Sequence, residues 1–193
     1  MKTIEEYKLA FALQDVIVPE NEAETVVYGM LEEFANDKNS SKFREDVTKI
    51  MVGLRPSEGK LGYDDDFEPI EVKPINFSGK AKLAGQGNFS DFTWKRHRKY
   101  LADNVRMLVS GFYNGKLLYI AEFPYKSLQT RIEDVLTKKL PKGDVVGTYV
   151  RSAAFSYNHW MDKPYTVHYL RPTVGTYKKA FNKKFLQALT VQP

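Results

Sequence analysis

The chain has 193 residues, of which 42% are hydrophobic and 13% aromatic, enough for one domain with its own core. Its formal net charge of +5 favours an anionic partner, nucleic acid ahead of an acidic membrane. With no cysteine it builds no disulfide, zinc–thiolate site or cysteine nucleophile, and His97, His159 and His168 are too few for a histidine-rich metal site.

The first residues, MKTIEEYKLAFALQDV, lack the apolar run and small-residue cleavage site of a signal peptide. No stretch approaches the roughly 20 apolar residues of a membrane-spanning helix. The expectation is a soluble intracellular protein, of a cell or of a phage acting inside its host, with no membrane partner. Residues 3–16 are expected to be helical, with Ile4, Tyr7 and Phe11 on one side and Pro19 beyond the end. Residues 21–35 form a stronger helix, because Ala23, Val26, Val27, Met30, Leu31 and Phe34 recur at helical spacing and Asn21 can cap the start. A third helix over 41–52 carries Phe43, Val47, Ile50 and Met51 as its stripe. Asp46 lies on that stripe, whereas Glu45 is expected to face solvent.

The turn-rich LRPSEGKLGYDD leads through a short hairpin into a strand at 68–77. Here the chemistry concentrates. Asp64, Asp65 and Asp66 run together, and Glu71-Val72-Lys73 follows. Strand alternation puts Glu71 and Lys73 on one face and Val72 on the other, with Ile70 and Ile75 adding β-branched character. Two opposite charges on one face of an apolar strand call for a reason. Mg²⁺ is commonly held by one or two carboxylates together with phosphate and water. Asp64 and Glu71 supply that pair if the chain bends back near Pro69. Lys73 beside them would orient an attacking water or offset charge on a phosphate. The plainer alternative is an ion pair on an exposed strand behind a solvated aspartate turn.

Residues 77–92, FSGKAKLAGQGNFSDF, hold three glycines and no periodicity, and are expected to be a long loop beyond the acids. The stretch lacks the endings of a P-loop or dinucleotide fingerprint, which excludes a nucleotide cradle. Lys80, Lys82, Gln86 and Asn88 suit phosphate and base contacts. Ser90 or Asp91 is expected to cap a helix through TWKRHRKYLADN, with Trp94 and Leu101 inside. Lys95, Arg98 and Lys99 share a face at i, i+3, i+4, the footprint of a phosphate-binding helix or of a plain solvated one. Residues 106–113 and 116–123 flank Asn114-Gly115, a strong hairpin signal, and are apolar enough to be central strands. Ser127 is expected to cap a helix with Leu128, Ile132, Val135 and Leu136 on its stripe. Residues 144–157 read as a strand or two, where Thr148, Tyr149, Arg151 and Ser152 suit a sheet face or a binding face. Tyr165–Tyr169 is a short strand, and a last helix over about 176–189 presents Tyr177, Phe181, Phe185 and Leu189. Lys178, Lys179, Lys183 and Lys184 lie elsewhere around it. No G-x-S-x-G elbow exists, and nothing near His159 or His168 argues for a triad.

The series Asp64…Glu71-Val72-Lys73 resembles the D…(D/E)-x-K signature of the PD-(D/E)xK nuclease superfamily, over roughly residues 43–123. The resemblance implies an α/β fold, a mixed β-sheet flanked by helices of the restriction-endonuclease-like type. It implies Mg²⁺-dependent hydrolysis of DNA phosphodiesters, with Mn²⁺ as a substitute metal. Asp64 takes the first acid, Glu71 the second and Lys73 the lysine, so that Asp64 and Glu71 hold the metal. Tyr63 stands where the superfamily's name has proline, and Asp65 and Asp66 compete with Asp64 for the first position. Many members add an acid from a helix ahead of the strands, for which Glu24 and Asp46 are the candidates.

The resulting expectation is a single domain over 1–193 with a catalytic core at about 20–140. It acts as an endonuclease on double-stranded DNA in a restriction or homing role. Asp64, Glu71, Lys73 and Glu24 form the catalytic set, and Lys80, Lys82, Asn88, Lys95, Arg98 and Lys99 meet the DNA. Cutting both strands takes two such sites, which a homodimer would supply. The alternative is a basic nucleic-acid-binding protein without catalysis. A phosphotransfer enzyme on a small substrate ranks last, for want of a phosphate loop.

Overall fold

The computed structural model describes residues 41–54, 63–64, 68–77, 82–113, 116–141 and 145–191. The helices expected at 3–16 and 21–35, with Glu24, lie outside the described residues. So do Asp65, Asp66, Lys80, Asn114-Gly115 and the turn-rich stretch at 55–62.

The chain forms α1 (Ser41–Met51), β1 (Ile70–Phe77), β2 (Gly87–Phe92), α2 (Trp94–Ala102), β3 (Arg106–Tyr113) and β4 (Lys116–Pro124). A 3-10 turn, Tyr125–Leu128, then leads into α3 (Gln129–Lys139), followed by β5 (Val150–Phe155) and β6 (Thr166–Leu170). A 3-10 helix, Val174–Ala180, precedes α4 (Lys183–Val191). This is an α/β structure whose main sheet is mixed and flanked by helices. Among the described residues no helix is long and apolar enough to cross a membrane.

The main sheet has the order β1-β3-β4-β6. β3 and β4 form the expected hairpin, with Arg106 opposite Pro124 and Tyr113 opposite Lys116. β6 adds antiparallel to β4, and β1 lies parallel to β3 at the sheet's edge. A parallel pair cannot be joined by a tight turn and needs a crossover. β2 and α2 are that crossover, and they bring their side chains over one face of β1.

Strand alternation splits the core across the sheet. On one face Ile70, Val72, Leu108, Phe112, Leu117 and Ile120 pack with Phe43 and Val47 of α1. On the other, Met107, Val109, Ala121 and Phe123 join aromatic residues from β2, α2, β5 and α4. Phe123 stacks flat on Trp160 at 4.4 Å, and the Trp160 indole N–H donates to the Gly85 carbonyl at 2.9 Å. Each such fully buried large apolar side chain contributes roughly 1.5–3 kcal/mol relative to exposure.

Four expectations need correction. The supposed loop at 77–92 contains β2, which pairs antiparallel with β5 from Gly87↔Phe155 to Phe92↔Val150 in a separate two-stranded sheet. Phe89 and Phe92 bury against the core, and that burial outweighs the weak strand preference of the glycines and asparagine around them. The main sheet has four strands among the described residues. Thr93, not Ser90 or Asp91, caps α2, its Oγ1 accepting the Arg96 N–H at 3.0 Å. Ser127 caps nothing: it is buried within the 3-10 turn before α3, whose Ile132, Val135 and Leu136 are buried as the stripe requires. The last helix is broken in two, because Phe181 is drawn into a bridge with Leu83.

Candidate functional site

Glu71 and Lys73 share the face of β1 that looks toward α2 and β2. Glu71 is 3% exposed, so its charge needs partners. Lys73 Nζ donates to Glu71 Oε1, and the Tyr100 hydroxyl donates to Oε2. Arg96 Nη2 stands 3.6 Å from Oε2. The Arg96 guanidinium also donates to the Tyr100 oxygen, from Nε at 3.0 Å and Nη2 at 2.6 Å. Burial, followed by the Glu71 charge, pushes the Tyr100 hydroxyl well above its usual range, so the phenol stays a proton donor. Lys73 Nζ also lies 5.4 Å from the centre of the Phe89 ring, and Arg96 covers the rings of Phe92 and Tyr100 at 5.4 and 5.2 Å.

Asp64 reaches the same place from outside the sheet. Its N–H donates to the Ile70 carbonyl at 2.9 Å, and its Oδ2 accepts the Val72 N–H at 2.6 Å. The aspartate thus docks on the backbone between Glu71 and Lys73. Burial raises its carboxyl to about 6, helped by the charges of Glu71 and Glu45 and opposed by the Val72 N–H and Lys73. The chain does bend back ahead of β1 as the pairing of Asp64 with Glu71 required. Among the described residues no group of three or more His, Asp or Glu side chains could hold a metal ion by itself. Asp64 and Glu71 are a pair whose charges bear on each other.

Of the two acids of α1, Asp46 is buried as its place on the stripe requires, and Glu45 departs from expectation. Asp46, placed on the apolar stripe, is buried and held by Lys42 at 2.9 Å, with Lys49 at 3.9 Å. Glu45, expected in solvent, is half-buried, pairs with the fully buried Lys49 at 2.8 Å and is the one whose charge reaches Asp64. A buried lysine must be met by a carboxylate, and that need turns Glu45 inward.

The basic helix divides in two. Lys95, Arg98 and Lys99 are exposed on one face, as their spacing indicates. Lys99 is engaged there: its Nζ bonds Asp103 at 2.5 Å and the Tyr63 hydroxyl at 2.9 Å, which ties the segment ahead of Asp64 to the end of α2. His97 belongs to the inner side. Its Nδ1 lies 2.7 Å from the Tyr125 hydroxyl and its Nε2 3.4 Å from Glu133, and burial pushes its pKa down, so it adds no charge to the outer face at neutral pH. Arg96 and Tyr100 were missed from the sequence, although their spacing of four puts them on one helical face. Lys82 and Asn88 are exposed, the latter on β2. Gln86 instead folds back on its own loop, accepting the Ala84 N–H at 2.5 Å and donating to the Lys82 carbonyl at 3.0 Å.

Compared with known proteins, the chain matches no family model and no curated protein.

Proposed function

We propose that the chain is a Mg²⁺-dependent DNA endonuclease of the restriction-endonuclease-like type, with its centre on the polar face of β1. The observation that carries this reading is the convergence of Asp64, Glu71 and Lys73 on three consecutive positions of one strand. The donor set fits a hard divalent cation. Burial raises the Asp64 carboxyl to about 6 and the Glu71 charge adds to it, and a cation held by the two carboxylates would offset that repulsion. Asp64 and Glu71 would hold it, with phosphate and water completing the shell. When bound, such an ion polarises a phosphoryl oxygen and lowers the pKa of a coordinated water.

The chain's own groups have separable tasks. Lys73, half-buried and anchored on Glu71, presents an ammonium that orients the attacking water and offsets charge growing on the phosphate. Tyr100 and Arg96 fix the Glu71 carboxylate from the other side. The water oxygen bonds to phosphorus and gives up a proton to solvent, one P–O ester bond breaks, and the departing oxygen takes a proton from solvent. Lys95, Arg98 and Lys82 supply cations for the backbone of the duplex. Cutting both strands calls for two copies of the chain on one duplex.

A second reading, a basic nucleic-acid binder without catalysis, draws on the engagement of both Glu71 oxygens within the protein. Incubating supercoiled and linear duplex DNA with Mg²⁺, Mn²⁺ or EDTA separates the two. The nuclease reading expects metal-dependent fragments. Intact DNA with every metal, together with measurable DNA binding, would leave the binder.

A further inference from the structure

The two-stranded sheet stands apart from the main one, and its two faces differ. Phe89, Phe92, Val150, Ala153 and Phe155 are buried, and Phe89 contacts the rings of Phe92, Tyr100, Tyr125 and Phe155 at centroid distances of 4.7–6.1 Å. The other face carries Asn88, Ser90, Ser152 and Ala154, all exposed. It is neither apolar nor densely charged. Ser152 Oγ donates to Asn88 Oδ1 at 2.6 Å, which fixes the asparagine across the ribbon and leaves its amide N–H groups for another acceptor. Alternation breaks at Asp91, whose φ of 48° lies in the left-handed region that aspartate tolerates. Asp91 and Arg151 are both exposed at this kink.

The edge of β5 is lined by cations from α3. Arg131 Nε donates to the Ala154 carbonyl at 3.0 Å, and Lys139 Nζ lies 3.4 Å from the Ser152 carbonyl. At its other end the ribbon abuts the proposed centre. A Cβ on Gly87 would collide with the Phe155 ring and come within 3.0 Å of the Lys73 Cβ. Asn88 is therefore one residue from a backbone packed on Lys73.

We propose that the outer face of the β2–β5 ribbon, together with the exposed Arg151 at its kink, reads base edges in the major groove of duplex DNA, through Asn88, Ser90, Ser152 and Arg151. This deepens the nuclease reading, on which it rests for the placing of the duplex beside Lys73. The DNA major groove, about 12 Å wide, admits a two-stranded ribbon. The A-form RNA major groove is too narrow for side chains to read, so this face distinguishes the two duplexes. Asparagine pairs two-fold with adenine, arginine with guanine, and serine with either kind of edge. Cations at the ribbon's edge suit flanking phosphates. A protein partner would favour a centre of large apolar or aromatic side chains, which this face does not present. The buried aromatic face gives the ribbon the rigidity that a reading element needs.

The test is selection of binding sequences from a randomised duplex DNA pool, run with the wild type and with Asn88→Ala, Arg151→Ala and Ser152→Ala. Each protein is also scored for Mg²⁺-dependent cleavage of a plasmid. The wild type is expected to enrich a short motif. Each variant should lose about tenfold or more of its discrimination at one or two positions, while its affinity for unselected DNA falls less than about threefold. An unchanged motif in all three variants, or no motif for the wild type, overturns the proposal. Cleavage that persists with unchanged fragments in the variants would sink the ribbon and keep the nuclease. A motif lost in the variants, with no cleavage by any protein, would sink the nuclease and keep the ribbon.

Discussion

The two faces of β1 are built from alternate residues of the same short strand and obey different rules. Ile70 and Val72 point at α1, are 0% and 2% exposed, and meet Phe43 and Val47 in an apolar contact. Glu71 and Lys73 point the other way and meet Arg96, Tyr100 and Asp64 through charges and hydrogen bonds. The first face holds the edge strand on the domain. The second stores charge at a cost, because removing carboxylates from water is unfavourable unless partners or a cation compensate. Apolar packing and clustered charge are divided here at a spacing of one residue.

Substitutions that respect or cross this division can break it. Lys73→Ala should lower Mg²⁺-dependent DNA cleavage by about 10²–10⁴-fold, with an unchanged far-ultraviolet circular dichroism spectrum. Ile70→Ala should do the reverse. It should cost about 2–5 kcal/mol in chemical denaturation, through lost burial and the cavity left behind, while cleavage per folded molecule stays near wild type. Loss of cleavage in well-folded Ile70→Ala would show that the two faces are coupled.

The third expectation concerns pH. Asp64 has a folded pKa of about 6 against an ordinary 3.8, so the folded protein binds this proton more tightly than the unfolded chain. Its contribution is fully present below about pH 4 and is lost as pH rises through about 6, on the order of 2–3 kcal/mol. Asp64→Asn should therefore flatten the decline in metal-free stability between pH 4 and pH 7, as measured by denaturant midpoints. A wild-type decline equal to that of the variant would remove Asp64 as its source.

Smaller effects sharpen the boundary of the site. Tyr100→Phe removes the donor to Glu71 Oε2 and should slow single-turnover cleavage about tenfold at unchanged DNA affinity. A weakened affinity with an unchanged rate would move Tyr100 from positioning to binding. Lys95→Ala should barely alter cleavage at saturating DNA. Its mark should be a fall of about 0.9 in the slope of log affinity against log salt. An unchanged slope would take Lys95 off the phosphate backbone.

Much of this architecture was legible in local pattern. The helical stripe of Phe43 and Val47, the apolar runs around Asn114-Gly115, and the alternation of Glu71-Val72-Lys73 each carry their own period. What was hidden depends on distant partners. β2 looks like a glycine-rich loop because its strand character comes from pairing with β5, where Asn88 meets Ala154 and Ser90 meets Ser152. In α2 a run of cations conceals which one turns inward. The buried Glu71, on a distant strand, and the Tyr100 hydroxyl one turn along the helix together select Arg96. Glu45 was assigned to solvent because nothing local announces that Lys49 is buried beside it. The last helix breaks at Phe181 because Leu83, far back in the chain, takes its place in a bridge. Spacing along the chain put Glu71 and Lys73 on one face of β1, whereas Arg96 and Tyr100, which hold Glu71 in position, come from the crossover.

The most direct measurement compares wild type with Glu71→Gln on one supercoiled plasmid, in Mg²⁺ and in EDTA, with melting curves for both proteins. The substitution keeps the side-chain shape and an acceptor for one of its two donors, Tyr100 and Lys73, and removes the charge a metal would need. The expected result is nicking and linearisation by the wild type in Mg²⁺ alone, and a folded but inactive Glu71→Gln. Equal cleavage by the two proteins, or no metal-dependent cleavage by a well-folded wild type, would contradict a nuclease centre on this face of β1.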